Sequence, residues 1–120
     1  MNNNTNHITD KMDSCKTGNQ GRPAYFGQGL KFALDIKSPG FSMEDDDFEV
    51  EIMNRMTGKS LKIAKTDMLV QDDGTFVLAF KSGDLGIGEL VLITTAYVPD
   101  TDFEDGIRVE IDKKLLCKVE

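Results

Sequence analysis

A chain of 120 residues, 39% hydrophobic and 29% charged, has the size and composition of one ordinary globular domain rather than of a disordered segment. Its 21 acidic and 14 basic side chains give a formal charge of −7, which argues against nucleic acid or an anionic membrane as a partner, since both need a basic footprint. No apolar run approaches the roughly 18 residues of a membrane span, so no membrane insertion is expected.

The chain opens on "MNNNTNHITDKMDSCKTGNQ", rich in Asn, Thr, Gly and Lys and without a period of 2 or 3.6. Such a composition buries too little apolar surface to offset the entropy of ordering it. Residues 1–28 are therefore expected to form a flexible polar arm, and residues 29–120 the folded domain. The arm lacks a basic start followed by an apolar stretch, so it is not a Sec signal. Cys15 and Cys117 are the only cysteines. A disulfide between them is geometrically open, but without a secretion signal free thiols are expected. Tyr25 and Phe26 stand between glycines near the end of the arm. They either pin it to a neighbouring surface or pack on their own domain beside the first strand, the second being preferred.

From Leu30 the period becomes two. Leu30, Phe32, Leu34 and Ile36 share one face of a half-buried strand, with Lys31, Asp35 and Lys37 on the other. Pro39 and Gly40 break it. Phe48, Val50 and Ile52 point inward on the next strand, against Glu49 and Glu51. A turn at "MTGKS" leads to a strand holding Leu61 and Ile63. A short strand near 68–71 precedes Asp73-Gly74, a strong hairpin signal, and Phe76, Leu78 and Phe80 line the return. The glycine-rich "KSGDLGIGE" leads into "ELVLITTAYV", apolar on both faces as a central strand would be. In "IRVEID", Ile107, Val109 and Ile111 form the apolar side against Arg108, Glu110 and Asp112. "LLCKV" is a candidate terminal edge strand. No segment has a helical face.

About seven short strands at spacings near ten residues predict an all-β fold, an immunoglobulin-like antiparallel β-sandwich with a flexible N-terminal arm; a small barrel is the alternative. The Cys…Trp…Cys signature of antibody-type domains is missing, because the chain has no Trp.

The sequence presents no catalytic residues. The single histidine, His7, lies in the arm without a packed shell to hold it as an acid or base. Neither cysteine has a fixed histidine to activate it, and the ligands of a zinc site are lacking. "GDLGIGE" lacks the Lys-Ser/Thr of a phosphate loop and precedes a strand instead of a helix. Two acidic clusters remain, Glu44–Asp47 and the loop "VPDTDFEDG" (98–106). Asp100 and Asp102 fit the first two positions of an EF-hand loop, but Glu104 takes the third and Gly106 comes one residue late. A calcium site of another kind between the clusters stays open. The simpler account is that these carboxylates cap turns and solvate the ends of the sandwich. Phe103 is expected to fold over the edge of the core. Glycoside hydrolysis would need two carboxyls across a sugar cleft, for which so small a sandwich has little room. No catalytic, cofactor-binding or metal residues are therefore assigned, and no cofactor.

Residues 30–120 resemble small immunoglobulin-like β-sandwich proteins of structural gene clusters of phages and prophages of gut bacteria. The likeness is carried by "GFSMEDDDF" (Gly40 to Phe48), the Asp72–Gly74 hairpin, Gly86 to Gly88 before the long strand, and "YVPDTDFEDGIR" (Tyr97 to Arg108). The chain is also distantly similar to the N-terminal attachment domain of phage baseplate upper proteins. The resemblance implies a non-enzymatic virion component of tail, baseplate or head surface, assembled in the host cytoplasm. Other virion structural proteins and further copies of this chain would be its partners, and the arm would dock on a neighbouring subunit. It implies no site residues. The alternatives are a receptor- or carbohydrate-binding adhesin module using the acidic loops, and a small inhibitor or regulator.

Overall fold

The computed structural model describes residues 24–120; His7, Cys15 and the first 23 positions of the expected arm lie outside it. Seven strands form two antiparallel sheets. They are β1 (Gly29–Leu34), β2 (Phe48–Asn54), β3 (Ser60–Ala64), β4 (Leu69–Val70), β5 (Phe76–Lys81), β6 (Gly88–Pro99) and β7 (Ile107–Val119). One sheet has the order β1-β5-β4 and the other β3-β2-β6-β7. The chain alternates between them in pairs after β1, so each sheet is built from segments distant in sequence. The described residues contain two single-turn 3₁₀ segments, Lys65–Asp67 and Ser82–Asp84, and no helix long and apolar enough to cross a membrane.

The inward faces are those the alternation predicts for most strands. Leu30, Phe32 and Leu34 of β1 meet Phe48, Val50 and Ile52 of β2 in one core, completed by Leu78, Phe80, Leu90, Leu92, Leu116 and Val119. Phe48 stands edge-on to Phe76 at 5.3 Å between ring centroids, a favoured aromatic geometry that joins the two sheets. Phe41 and Met43, from the long β1–β2 connection, close the same end. Lys65 fastens that connection. Its Nζ donates to the carbonyls of Glu44 (2.9 Å) and Asp46 (2.7 Å) and lies over the rings of Phe48 and Phe76.

The Asp73-Gly74 turn joins β4 to β5 as expected. Gly74 has φ +87°, a conformation other residues adopt only at a cost, and the Asp73 carboxylate accepts from the Thr75 amide at 3.0 Å. β6 is central, paired with β7 from Gly88 to Pro99 and with β2 from Leu90 to Ala96.

Three expectations are corrected. The first concerns residues 24–28, placed by sequence in the arm. They are bonded to the domain: Ala24 makes a parallel bridge to Val119, the Phe26 amide donates to the Glu120 carbonyl at 2.8 Å, and the buried Ser82 hydroxyl donates to the Tyr25 carbonyl at 2.7 Å. Tyr25 and Phe26 themselves remain 59% exposed.

The second is Cys117. It is buried and disulfide-bonded, not a free thiol. The chain's one other cysteine, Cys15, lies outside the described residues. The physical setting is the bridge at Ala24, which brings the chain into the domain alongside the end of β7 that carries Cys117.

The third is the direction of "IRVEID". Residues directly opposite in an antiparallel pair share a face. The buried Leu92, Thr94, Ala96 and Val98 oppose Lys114, Asp112, Glu110 and Arg108. Val109, Ile111 and Leu115 therefore lie on the outer face, 52%, 63% and 56% exposed. The cause is a β-bulge. Leu90 pairs with Cys117 and Val91 with Leu115, leaving Leu116 as an extra residue that reverses the phase of the strand. Above the bulge Cys117 and Val119 seal the core; below it the apolar side chains of β7 turn outward. The same bulge joins "LLCKV" to "IRVEID" as one 13-residue strand in place of two.

Candidate functional site

The "VPDTDFEDG" loop is a closed turn at the tip of the β6–β7 hairpin. The Asp100 amide donates to the Gly106 carbonyl (2.9 Å), and the Gly106 amide to that of Phe103 (2.9 Å). Gly106 has φ +78°, which favours glycine there. Two of its four carboxylates are occupied by this local structure. Asp100 accepts from the Asp102 amide at 2.9 Å, and Asp105 from the Ile107 amide at 3.1 Å. Arg108 is salt-bridged to Asp100, donates through Nε to Glu110 at 2.7 Å, and reaches the Pro39 carbonyl at 2.7 Å. The Asp102 amide, and after it Arg108, hold the Asp100 carboxyl below its usual value. Phe103 is exposed instead of folding over the core.

The Glu44–Asp47 cluster is occupied in a similar way. Asp46 accepts from the Ser42 amide at 2.9 Å, and Asp47 from the Phe48 amide at 2.9 Å. Among the described residues no three His, Cys, Asp or Glu side chains are gathered so as to hold a metal ion. Arg108 ties the hairpin tip to the β1–β2 connection at the Pro39 carbonyl, upstream of the Glu44–Asp47 cluster.

One open groove of about 700 Å³ runs between Leu34, Asp35, Met43, Glu44, Asp73 and Phe76. A second of about 350 Å³ separates Asp35–Ser38 from Thr94, Glu110, Asp112 and Lys114. In the first, Asp73 is already committed to its own turn.

Two features missed at the sequence level carry the geometry. One is Asn54, fully buried at the end of β2. Its Nδ2 donates to the carbonyls of Leu85 (2.8 Å) and Ile87 (3.0 Å), while its Oδ1 accepts from the amides of Met56 (2.8 Å) and Thr57 (3.2 Å). It locks the β2–β3 turn to the β5–β6 link. This explains the last glycine of "GDLGIGE": a Cβ on Gly88, at φ +136°, would stand 2.7 Å from Asn54 Oδ1. A signal for it existed, a polar side chain in the inward slot that follows Phe48, Val50 and Ile52. The other feature is the outer face of the β3-β2-β6-β7 sheet. There Val91 and Ile93 of β6 lie half-buried beside the exposed Val109, Ile111 and Leu115 of β7. Surface apolar side chains are ordinary when scattered; here they are contiguous.

No family model matches the chain, and no curated protein or solved structure matches it significantly.

Proposed function

We propose that this is a non-enzymatic structural module of a phage particle, a tail, baseplate or head-surface component that works by protein–protein assembly. In this reading the N-terminal arm docks on a neighbouring subunit. The observation that carries the assembly reading is the contrast between two surfaces. Asp100, Asp105 and Asp46 are bonded within their own turns, whereas a strand of the main sheet presents its apolar side to solvent. Exposed contiguous apolar surface of this kind favours macromolecular contact. The virion assignment rests on the resemblance of residues 30–120.

We also infer an immunoglobulin-like strand order. The order β1-β5-β4 corresponds to strands B, E and D, and β3-β2-β6-β7 to C′, C, F and G, with the first strand of the usual ABED sheet lacking among the described residues. The adhesin alternative needs acidic loops available to a ligand, and the bonding of Asp100, Asp105 and Asp46 gives it less support. The test is mass spectrometry of particles purified from an induced culture of the source cells. The expected result is this chain at a fixed ratio to the other particle proteins through successive density gradients. Expression of the chain with none in the particles would overturn the virion reading.

A further inference from the structure

We infer that the outer face of the β6–β7 hairpin is a dimerisation surface whose occupant is the same face of a second copy of this chain. This deepens the assembly reading above, on which its biological meaning rests.

The inference begins with the bulge. Ile107, Val109, Ile111, Leu115, Cys117 and Val119 are all odd-numbered, so an unbulged β7 would place them on one face. By inserting Leu116 the strand seals its own core with Leu116, Cys117 and Val119, and turns Val109, Ile111 and Leu115 to the opposite side. Bulges re-aim side chains in this way at sheet edges, and β7 is an edge strand of its sheet. The polar residues displaced to the inner side, Arg108 and Glu110 among them, are ones a monomer could as well have kept outside.

The register supplies the argument for a second copy. Across the outer face the residues stand in rows. One row is Lys62, Glu51, Ile93 and Lys113; the next holds Glu49, Thr95 and Ile111; another Met53, Val91 and Leu115. Consider a two-fold axis parallel to the strands, between β6 and β7, with the two sheets face to face. The operation keeps each row at its own height and lays β7 of one copy over β6 of the other. Leu115 then covers Val91 of the second copy, and Ile111 covers Thr95. The stem of Lys113 crosses Ile93 and brings its ammonium beside Glu51 of the second copy, with the reciprocal pair across the axis. One operation thus satisfies both apolar contact and charge, as an isologous interface requires. Twelve paired residues at about 3.3 Å, across the two overlapping strands, span about 40 Å by 10 Å, or about 400 Å² per copy. The total of about 800 Å² lies below the standard specific interface, in the range of weak and transient association, so the dimer must be sought at high concentration.

The experiment is sedimentation velocity on the full chain from about 10 to 500 µM, the range in which a low-end interface populates dimer. The wild type is expected to move reversibly from monomer to dimer. Ile111→Glu and Leu115→Glu are each expected to raise the dissociation constant about tenfold or more, as loss of central apolar contacts does. Their circular dichroism and melting temperature should stay unchanged, because both side chains are exposed. Lys113→Glu and Glu51→Lys are each expected to weaken the dimer, and the double variant to restore it. A wild type that stays monomeric throughout overturns the inference. So does a dimer indifferent to Ile111→Glu and Leu115→Glu, or a double charge reversal that fails to restore association. A monomeric chain that is nonetheless found in purified particles would sink this dimer and leave the virion reading standing.

Discussion

Replacing Asn54 by Ala is expected to destabilise the domain by about 2–4 kcal/mol. The side chain makes four hydrogen bonds to backbone and is fully buried. The bond to the Leu85 carbonyl is itself buried, so its loss carries a desolvation penalty of about 1–2 kcal/mol. The other three partners are partly buried, and water recovers part of each, leaving roughly 0.5 kcal/mol apiece. For a domain of this size that sum lowers the melting temperature by roughly 10–30 °C, and in urea it moves the midpoint without changing the slope. Asn54→Asp sharpens the test. It keeps the acceptor facing the Met56 and Thr57 amides but sets a carboxylate oxygen against two carbonyls. Its folded-state pKa is then raised above the unfolded value, so the variant should lose stability as pH rises and recover it as pH falls. Gly88→Ala closes a cycle. Its Cβ clashes with Asn54 Oδ1, so it should cost less in the Asn54→Ala background than in the wild type. An Asn54→Ala loss under about 1 kcal/mol would refute the view that this residue locks the two turns together, since water would then be replacing all four bonds.

Two further predictions concern the hairpin tip and Cys117. Asp100 has a folded-state pKa below its unfolded value, so the unfolded chain binds more protons as the pH drops; the stability it contributes is present above the unfolded value and is lost as pH falls through the folded one. Asp100→Asn should therefore be less stable than wild type at pH 7, and the difference should close on acidification, as followed by thermal melts from neutral pH downward; a gap independent of pH would refute the assignment. Cys117, disulfide-bonded in the fold, should resist alkylation in denaturant until a reductant is added, which intact-mass measurement reads directly; labelling without reductant would show that the thiol is free.

Much of the fold was legible because most strands obey a single rule. β1, β2 and β5 each place apolar residues at alternate positions, one face of each is buried, and the turns between elements carry Pro39-Gly40 or Asp73-Gly74. Local chemistry and burial agree there, so periodicity suffices. Asn54 was legible only as a polar residue in an inward slot, not as a lock. The partners of its amide nitrogen are backbone carbonyls more than thirty positions away, at Leu85 and Ile87, and these leave no trace in side-chain pattern. The acidic loop lay between these cases. Its residue types announced a turn, but only the structure shows that Arg108 reaches back to Pro39 and ties the hairpin tip to the β1–β2 connection.

β7 is the instructive failure, because there the pattern was strong and its interpretation was reversed. Ile107, Val109, Ile111, Leu115, Cys117 and Val119 form an unbroken odd-numbered series, interrupted by Lys113 alone, and a strict alternation makes them one face. Nothing in the alternation marks Leu116 as supernumerary: "KLLCK" reads as well with either leucine in phase. What decides is demand from elsewhere. The core opposite Gly88 and Leu90 has room for Cys117 and Val119, and Leu116 fills beside them, whereas farther down the hairpin β6 opposes its buried Leu92, Thr94 and Ala96 to charged residues of β7. A bulge is the only way one strand can serve both requirements, since a slip of one residue exchanges every side chain between faces. The exposed apolar stripe is thus not a defect of a loosely built edge. It follows from the same bulge that closes the core: one face of β7 is spent on the fold, and the other carries Val109, Ile111 and Leu115 to solvent.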